Sequence, residues 1–338
     1  MVKEHGAPFI TLGIETSCDE TACAVLRNNN EVLSNVIASS LALHQQFGGV
    51  VPEIASRHSL EYIEIVFRQA LEEARVTKEA IDLIGVTQGP GLVGSLLVGI
   101  SFAKGLSYAL SVPFIGVNHL EGHLYANFLN GMVPDEPFLG LLVSGGHTAI
   151  VYCNNDTMTL VGETIDDAVG EAYDKVAKMM KIGYPGGPVI ERYARSGDPK
   201  KIQFGCARLP GTYDFSFSGV KTAVLYYVRD TKNLEKDIPH ICASFQRTVV
   251  SVIVEKTIAA AKEKRVSLIV VGGGVSANQY LRDTLTAEAA PRDIRVSFPG
   301  KRESLDNGAM IARRAYELYH KGKRSPYSLS AEASWGIK

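Results

Sequence analysis

The sequence predicts an α/β protein of two similar lobes, each built as three strands followed by alternating helices and strands (βββαβαβα), and three observations support this. Residues 10–39 read as strand, polar turn, strand, Asn turn, strand, and residues 138–163 repeat that order. Each meander is then followed by the same succession of helix, strand, helix, strand and helix. The chain has 338 residues, 46% of them apolar, which is enough for two separate cores.

Taken in order, the first meander has strands at Ile10–Thr16 and Ala22–Arg27, the Asn28-Asn29-Asn30 turn and a third strand. A helix over about His58–Arg75, a strand in "IDLIGVTQ", a helix from Gly91, a strand "PFIGVNH" and a helix carrying two histidines follow. The second meander turns at Ser144-Gly145-Gly146-His147 and again at Asn154-Asn155-Asp156. After it come a helix in "DDAVGEAYDKVAKMMK", an inserted stretch, a helix over about Ile241–Lys264, the strand "VSLIVVGG", a helix from Ser276, the strand "IRVSFP" and a last helix, "NGAMIARRAYELYH". The expected domains are 1–134, 135–308 with an insertion near 183–238, and 309–338 as a helix and tail returning toward the first lobe. Two such lobes side by side leave a cleft that both meander turns face. This is the architecture of the actin-like, Hsp70-like and sugar-kinase-like (ASKHA) nucleotide-binding proteins.

Composition narrows the function. The net charge of −1 argues against a generally basic nucleic-acid binder, so RNA contact needs a local patch or a partner. One candidate patch is 301–324, with seven Lys/Arg against three acids. Alternatively, those residues form an ordinary solvated helix face. Five scattered cysteines without a C-x-x-C pair fit reduced thiols, not a disulfide framework or zinc ribbon. No apolar signal core opens the chain, and runs such as "SLIVVGGGV" are too short to span a bilayer, so no membrane and a cytoplasmic location are expected.

The chemistry is concentrated in a few short stretches. "LLVSGGHT" is a strand ending in glycines, whose backbone N–H groups suit phosphate oxygens, although an ordinary hairpin turn has the same pattern. "VVGGGVSAN" adds a strand breaking at Gly272–Gly274 before a helix that opens at Ser276 or Asn278, suited to an adenine or its phosphate. "GPGLVG" matches G-x-G-x-x-G but lacks the ribose-binding acid about 20 residues later, which removes the dinucleotide-fold reading. Tyr184–Pro188, "YPGGP", is a rigid loop that fits a ribose or purine if Asp174 faces it.

In "GVNHLEGHL", His119 and His123 are one helical turn apart and share a face. A zinc protease would need glutamate at 120, where this chain has Leu120. By the duplication, the counterpart of the histidine helix opens at "SLDNGAMIA", which nominates Asp306 of the second lobe as a third ligand. A plain helix cap is the alternative there, and two half-buried surface histidines the alternative for the pair. Two imidazoles and one carboxylate with open positions favour iron(II), then zinc. Asp19 and Glu20 in "ETSCDET" are candidate acids on the first turn, or simply turn residues. Glu171 with Lys175 and Asp174 with Lys178 have the spacing of helical salt bridges.

Together "GIETSCDET", "FGGVVPEIASRH", "QGPGLVGSL", "GVNHLEGHL", "LLVSGGHT", "GEAYDKVAK", "YPGGP", "FSFSGVKT", "ASFQ", "VGGGVSAN" and "DNGAMIA" resemble, in order, the bacterial TsaD family from Gly13 to about Ile311. The resemblance implies an actin-like fold and transfer of a threonylcarbamoyl group from threonylcarbamoyl-AMP to N6 of adenosine 37 in tRNAs reading codons that begin with A. It further implies His119, His123 and Asp306 as metal ligands. Leu142, Val143, Ser144, Gly145, Gly146, Asp174, Gly187 and Asn278 would contact substrate, and Asp19 and Glu20 would be catalytic. A TsaB-like paralogue and a TsaE-like ATPase are the implied partners, besides tRNA. Archaeal and eukaryotic relatives carry tyrosine where this chain has Leu142, which implies a more open metal site here. The alternatives from other classes are an ATPase or small-molecule kinase using the same cleft, and a nucleotide-binding scaffold subunit.

Overall fold

The computed structural model describes residues 8–45, 47, 49–129, 131, 137–154 and 157–337. The Asn155-Asp156 part of the expected turn, the N-terminal residues 1–7 and the expected boundary at 134/135 lie outside them. The chain divides into two compact units, Met1–Val133 with Leu305–Gly336, and Pro134–Ser304 with the last two residues.

In chain order the first unit holds β1 (Ile10–Glu15), β2 (Glu20–Arg27), β3 (Glu31–Ser39), α1 (Leu41–Gln45) and α2 (Pro52–Ala74). It continues with β4 (Leu83–Gly89), α3 (Val93–Leu110), β5 (Phe114–Asn118) and α4 (His119–Tyr125). The second unit holds β6 (Phe138–Val143), β7 (Thr148–Asn154), β8 (Thr157–Glu163), α5 (Val169–Met180), α6 (Gly186–Ala194) and α7 (Ser218–Asp230). It ends with α8 (Leu234–Lys264), β9 (Leu268–Gly272), α9 (Gln279–Ala289) and β10 (Arg295–Ser297), and α10 (Gly308–His320) belongs to the first unit again.

Each unit carries one five-stranded sheet, ordered β3-β2-β1-β4-β5 in the first and β8-β7-β6-β9-β10 in the second. The strand orders are the same. In both, the meander is antiparallel and the two later strands run parallel to its first strand.

β1 and β4 are buried along their whole length because helices cover both faces of the first sheet, so they do not alternate between apolar and polar residues. On one face Ile63, Val66 and Phe67 of α2 and Leu96 and Ile100 of α3 join Leu12, Ile14, Ile84 and Val86 in one core. On the other, Ala309, Ile311, Ala312 and Ala315 of α10 join Ala24, Leu26, Leu83, Ile115 and Val117. Each fully buried Leu or Ile contributes about 1.5–3 kcal/mol. Small residues let α10 lie close: a Cβ on Gly13 would overlap the carbonyl of Gly308.

Docking of α10 corrects the symmetry argument made from sequence. The helix packs on the first sheet, so Asp306 just ahead of it sits in the unit that holds both histidines, not in the second lobe. Apolar pattern alone does not say which sheet a helix will cover. Two helices also begin earlier than expected. α2 starts at Pro52, whose fixed φ suits a first helical turn. α8 starts before Pro239 and runs through it, capped by Asn233, whose side chain accepts from the Lys236 N–H.

Among the described residues α3 is the one helix long and apolar enough to cross a membrane by length and composition. Lys104 interrupts its apolar run. Leu96, Ile100 and Ala103 face the core, and Lys104 Nζ donates to the Leu329 carbonyl at 2.6 Å. The tail beyond α10 runs back along this unit, where the Glu332 N–H donates to the Gln88 carbonyl and Asn118 Nδ2 donates to the Trp335 carbonyl.

Candidate metal centre and phosphate loops

β5 ends at Asn118, and its side-chain oxygen accepts from the N–H groups of Leu120 and Glu121, which starts α4 at His119. One turn of helix then brings the rings of His119 and His123 to 4.6 Å between centroids. Asp306 Oδ1 lies 3.1 Å from His123 Nε2 and 3.7 Å from His119 Nε2. Asn307, not Asp306, caps α10 by accepting from the Met310 N–H. The capping reading of Asp306 therefore falls away, and its carboxylate is turned toward the imidazoles.

The donor set fits a divalent cation. Ligands about 2.1 Å from a shared ion lie roughly 3.0–3.4 Å from one another in octahedral or tetrahedral geometry, close to the two Nε2–Oδ1 separations here. His123 is 1% exposed, and neither ring nitrogen makes a hydrogen bond. A buried polar group left so costs about 1–3 kcal/mol, a cost that a bound ion at Nε2 would remove.

Charge around the centre is unbalanced in the acidic direction. Burial alone would lower the pKa of His119, but the carboxylates of Glu15 and Asp306 outweigh it and raise it to about 9. Glu20 is pushed up to about 10 by burial first and then by the charges of Asp306 and Asp19. A cation that neutralised Asp306 would remove one of those charges. The Asp19 carbonyl accepts from the N–H and Oγ of Ser40, and Glu20 accepts from Ser39 Oγ. The acidic turn is thus pinned to the start of α1, with Cys18 close enough to Asp306 and Asp19 for their charges to raise its thiol pKa, after burial itself.

Sequence reasoning missed Glu15. It is fully buried at the end of β1, and its carboxylate meets His119 Nδ1 at 3.0 Å. An acid closing a strand otherwise without charge was the available signal.

In the second unit, β6 ends in the Ser144–His147 turn. The Ser144 N–H donates to the His147 carbonyl, so it closes the turn and is not offered outward, correcting that part of the predicted nest. A Cβ on Gly145 or Gly146 would meet nothing within 4 Å, so their side of the turn is open. Leu142 and Val143 are buried, so what they bring to the turn is backbone position. The Gly170 N–H at the head of α5 donates to the Ser144 carbonyl. Gly273, with φ of +93°, passes so close to Val143 that a Cβ would overlap its carbonyl.

The chain after Gly273 makes one 3-10 turn, Gly274–Ala277, and α9 begins at Gln279. Asn278 caps α9 by accepting from the Leu281 N–H, and its amide donates to Gln246 Oε1. Asp174 accepts from the Gly186 N–H at 2.6 Å, tying α5 to the start of α6, where a Cβ on Gly187 would meet open space. Glu191 of α6 accepts from the Gln279 N–H. The middle of α6 and the head of α9 are therefore joined, and the head of α5 and the Gly273 loop both lie against Ser144. Glu171 pairs with Lys175 at 2.8 Å as expected.

The basic stretch 301–324 is smaller than its sequence suggests. Arg313 and Arg314 are buried and pair with Glu317 and Glu121. Lys301 and Arg302 are exposed in the second unit, and Lys321, Lys323 and Arg324 in the first. Ile63, Val66 and Phe67 of α2 are core residues, while Leu60 is 68% exposed.

The two identically ordered sheets, each with helices inserted after an antiparallel meander, define an actin-like α/β protein. Solved structures agree on the fold. HypF from T. kodakarensis superposes with a TM-score of 0.64 at 14% identity, over 93% of this chain and 48% of that one, so this chain spans about half of it. Component A of the (R)-2-hydroxyglutaryl-CoA dehydratase from Acidaminococcus fermentans gives a TM-score of 0.53 at 16% identity, over 92% and 99%. The family profile described as TsaD, tRNA N6-adenosine threonylcarbamoyltransferase, matches residues 31–313. A relative of that name from Symbiobacterium thermophilum is 51% identical over 330 residues, 97% of each chain. The chain belongs to the TsaD family.

Proposed function

We infer that this protein is a tRNA-modifying acyltransferase that forms N6-threonylcarbamoyladenosine, taking the acyl group from threonylcarbamoyl-AMP and delivering it to adenosine 37 of tRNAs that read codons beginning with A. Membership of the family over nearly the whole chain carries this reading. The convergence of His119, His123 and Asp306 supports its metal dependence.

In the proposed mechanism Gly145, Gly146 and the Ser144 hydroxyl receive the phosphate of the mixed anhydride. Leu142 and Val143 hold that turn in place, and the adenosine is received by Gly187 with Asp174 on one side and the Gly273–Asn278 loop on the other. The N6 nitrogen bonds to the carbamoyl carbon, the bond from that carbon to the phosphate oxygen breaks, and AMP leaves with the electron pair. The N6 proton passes to Asp19 or Glu20. A cation held by the three ligands, iron(II) by preference and zinc second, would withdraw charge from a phosphate or carbamoyl oxygen. An exocyclic amine is a weak nucleophile, so positioning supplies much of the rate.

The exposed basic side chains Lys301, Arg302, Lys321, Lys323 and Arg324 are proposed to meet tRNA phosphates. Leu60 and Ile65 of α2 and Val93 and Leu97 of α3 leave apolar surface exposed, which supports docking of a TsaB-like paralogue. A TsaE-like ATPase completes the proposed set, working in the cytoplasm where tRNA is modified.

The test combines the protein, threonylcarbamoyl-AMP and unmodified tRNA, with and without the partner subunits. The expected result is a gain in tRNA mass equal to one threonylcarbamoyl group. No gain with every partner present, alongside tRNA-independent ADP formation from ATP, would instead mark an actin-like kinase or ATPase.

A further inference from the structure

We propose that Glu15 is the positioning residue of the metal centre: its carboxylate receives the Nδ1–H of His119 and so turns Nε2 of that ring toward Asp306. The proposal rests on reading His119, His123 and Asp306 as ligands, and adds to it a residue 104 positions away from His119 in sequence.

Glu15 is fully buried, and both its oxygens are engaged. Oε1 accepts from the Ser17 N–H at 2.5 Å, and Oε2 accepts from Thr87 Oγ1 at 2.5 Å and faces His119 Nδ1 at 3.0 Å. Removing a carboxylate from water costs several kcal/mol, and such a group persists where hydrogen bonds and a positive partner surround it. β1 and β4 are parallel neighbours, with Ile14 opposite Val86, so the sheet itself sets Glu15 and Thr87 side by side beneath α4.

The two imidazoles are held differently. His119 is tethered through Nδ1, which leaves Nε2 as the nitrogen that faces Asp306, 3.7 Å away. His123 has no hydrogen bond at Nδ1 and is kept in place by packing at 1% exposure. A carboxylate behind a ligating histidine fixes its tautomer and rotation and makes the ligating nitrogen a better donor. His119 is therefore oriented by a hydrogen bond to Glu15, and His123 by packing alone.

The test loads histidine-15N-labelled protein with 113Cd(2+) and reads one-bond 113Cd–15N coupling. Coupling at Nε2 of His119, with the Nδ1 proton still protected from exchange, is expected. Coupling at Nδ1 would overturn the proposal without any variant being needed. Glu15→Gln keeps the size and removes the charge, and its affinity for cadmium should fall about 10- to 100-fold. Thr87→Val, which removes one donor to Glu15, should lower affinity a few-fold. A folded Glu15→Gln protein with affinity within twofold of the parent would overturn the positioning role and leave the ligand assignment standing. Failure of the parent to bind cadmium would overturn both.

Discussion

The first turn of each sheet occupies the same place in the same strand order, yet the two turns carry opposite kinds of residue. Between β1 and β2 the chain places Cys18, Asp19 and Glu20 near Asp306, where burial and the neighbouring carboxylates raise the pKa values of Cys18 and Glu20. Between β6 and β7 it places Ser144, Gly145 and Gly146, which carry no charge and leave an open side. The same strand order thus frames an acidic turn in one unit and an uncharged, open turn in the other. The strand order is common property, and function lies in what the turns carry.

The largest expected effect comes from dismantling the cation side. His119→Ala or Asp306→Ala should lose metal from the purified protein and lower transfer to tRNA by about 10²–10³-fold or more, several kcal/mol of transition-state stabilisation. Circular dichroism should be unchanged, and full transfer in either variant would remove the metal from the mechanism.

On the anion side, two glycines sharpen the contrast. Gly273→Ala puts a Cβ in a left-handed conformation against the Val143 carbonyl. It should cost about 1–3 kcal/mol of stability, read by urea unfolding. Gly145→Ala meets no neighbour and should leave stability within about 0.5 kcal/mol. Its KM for threonylcarbamoyl-AMP should rise as the added methyl crowds the phosphate.

The acids around the histidines also set a pH dependence. His119 is raised from 6.5 to about 9 and Glu20 from 4.5 to about 10, so the folded state binds more protons than the unfolded chain between those values. Stability of the metal-free protein should therefore fall as pH rises, beginning near 4.5 for Glu20 and near 6.5 for His119, until about 9–10. Unfolding at pH 6.5, 8 and 9.5 with chelator should show the decline. Added metal should flatten it, and a metal-free curve that rises with pH would contradict this account of the charges.

The smallest effect is expected at exposed cations. Lys323→Ala and Arg324→Ala should each weaken tRNA binding modestly and make its salt dependence shallower by up to about one unit per lost phosphate contact. Arg314→Ala should instead destabilise the fold, because that side chain is buried against Glu121 and the Tyr125 ring.

Much of the fold was legible because it is written in local pattern. Strand alternation, the asparagine turn and the glycine breaks identify both meanders, and the repeated succession of elements reveals the duplication. The two histidines were legible because helical spacing fixes which side chains share a face. Asp306 was reached for a wrong reason, since symmetry assigned it to the second lobe and the docking of α10 on the first sheet is what brings it to the histidines. Arg313 and Arg314 looked like part of an RNA-binding face and proved to be buried partners of Glu317 and Glu121. A charge on a helix does not reveal by itself whether it faces water.

The amino-acid order alone determined the strand succession, the paired histidines, the glycine turns and the family, because each depends on residues close together in the chain or on motifs readable in a row. Only the tertiary structure decided which sheet received α10, which nitrogen of His119 was left free, and that a glutamate in a buried strand stands behind it. Those outcomes depend on side chains roughly a hundred or more positions apart meeting in a dry interior, where burial makes each unpaired charge costly. That cost is set by the completed packing and is invisible in any short stretch of sequence.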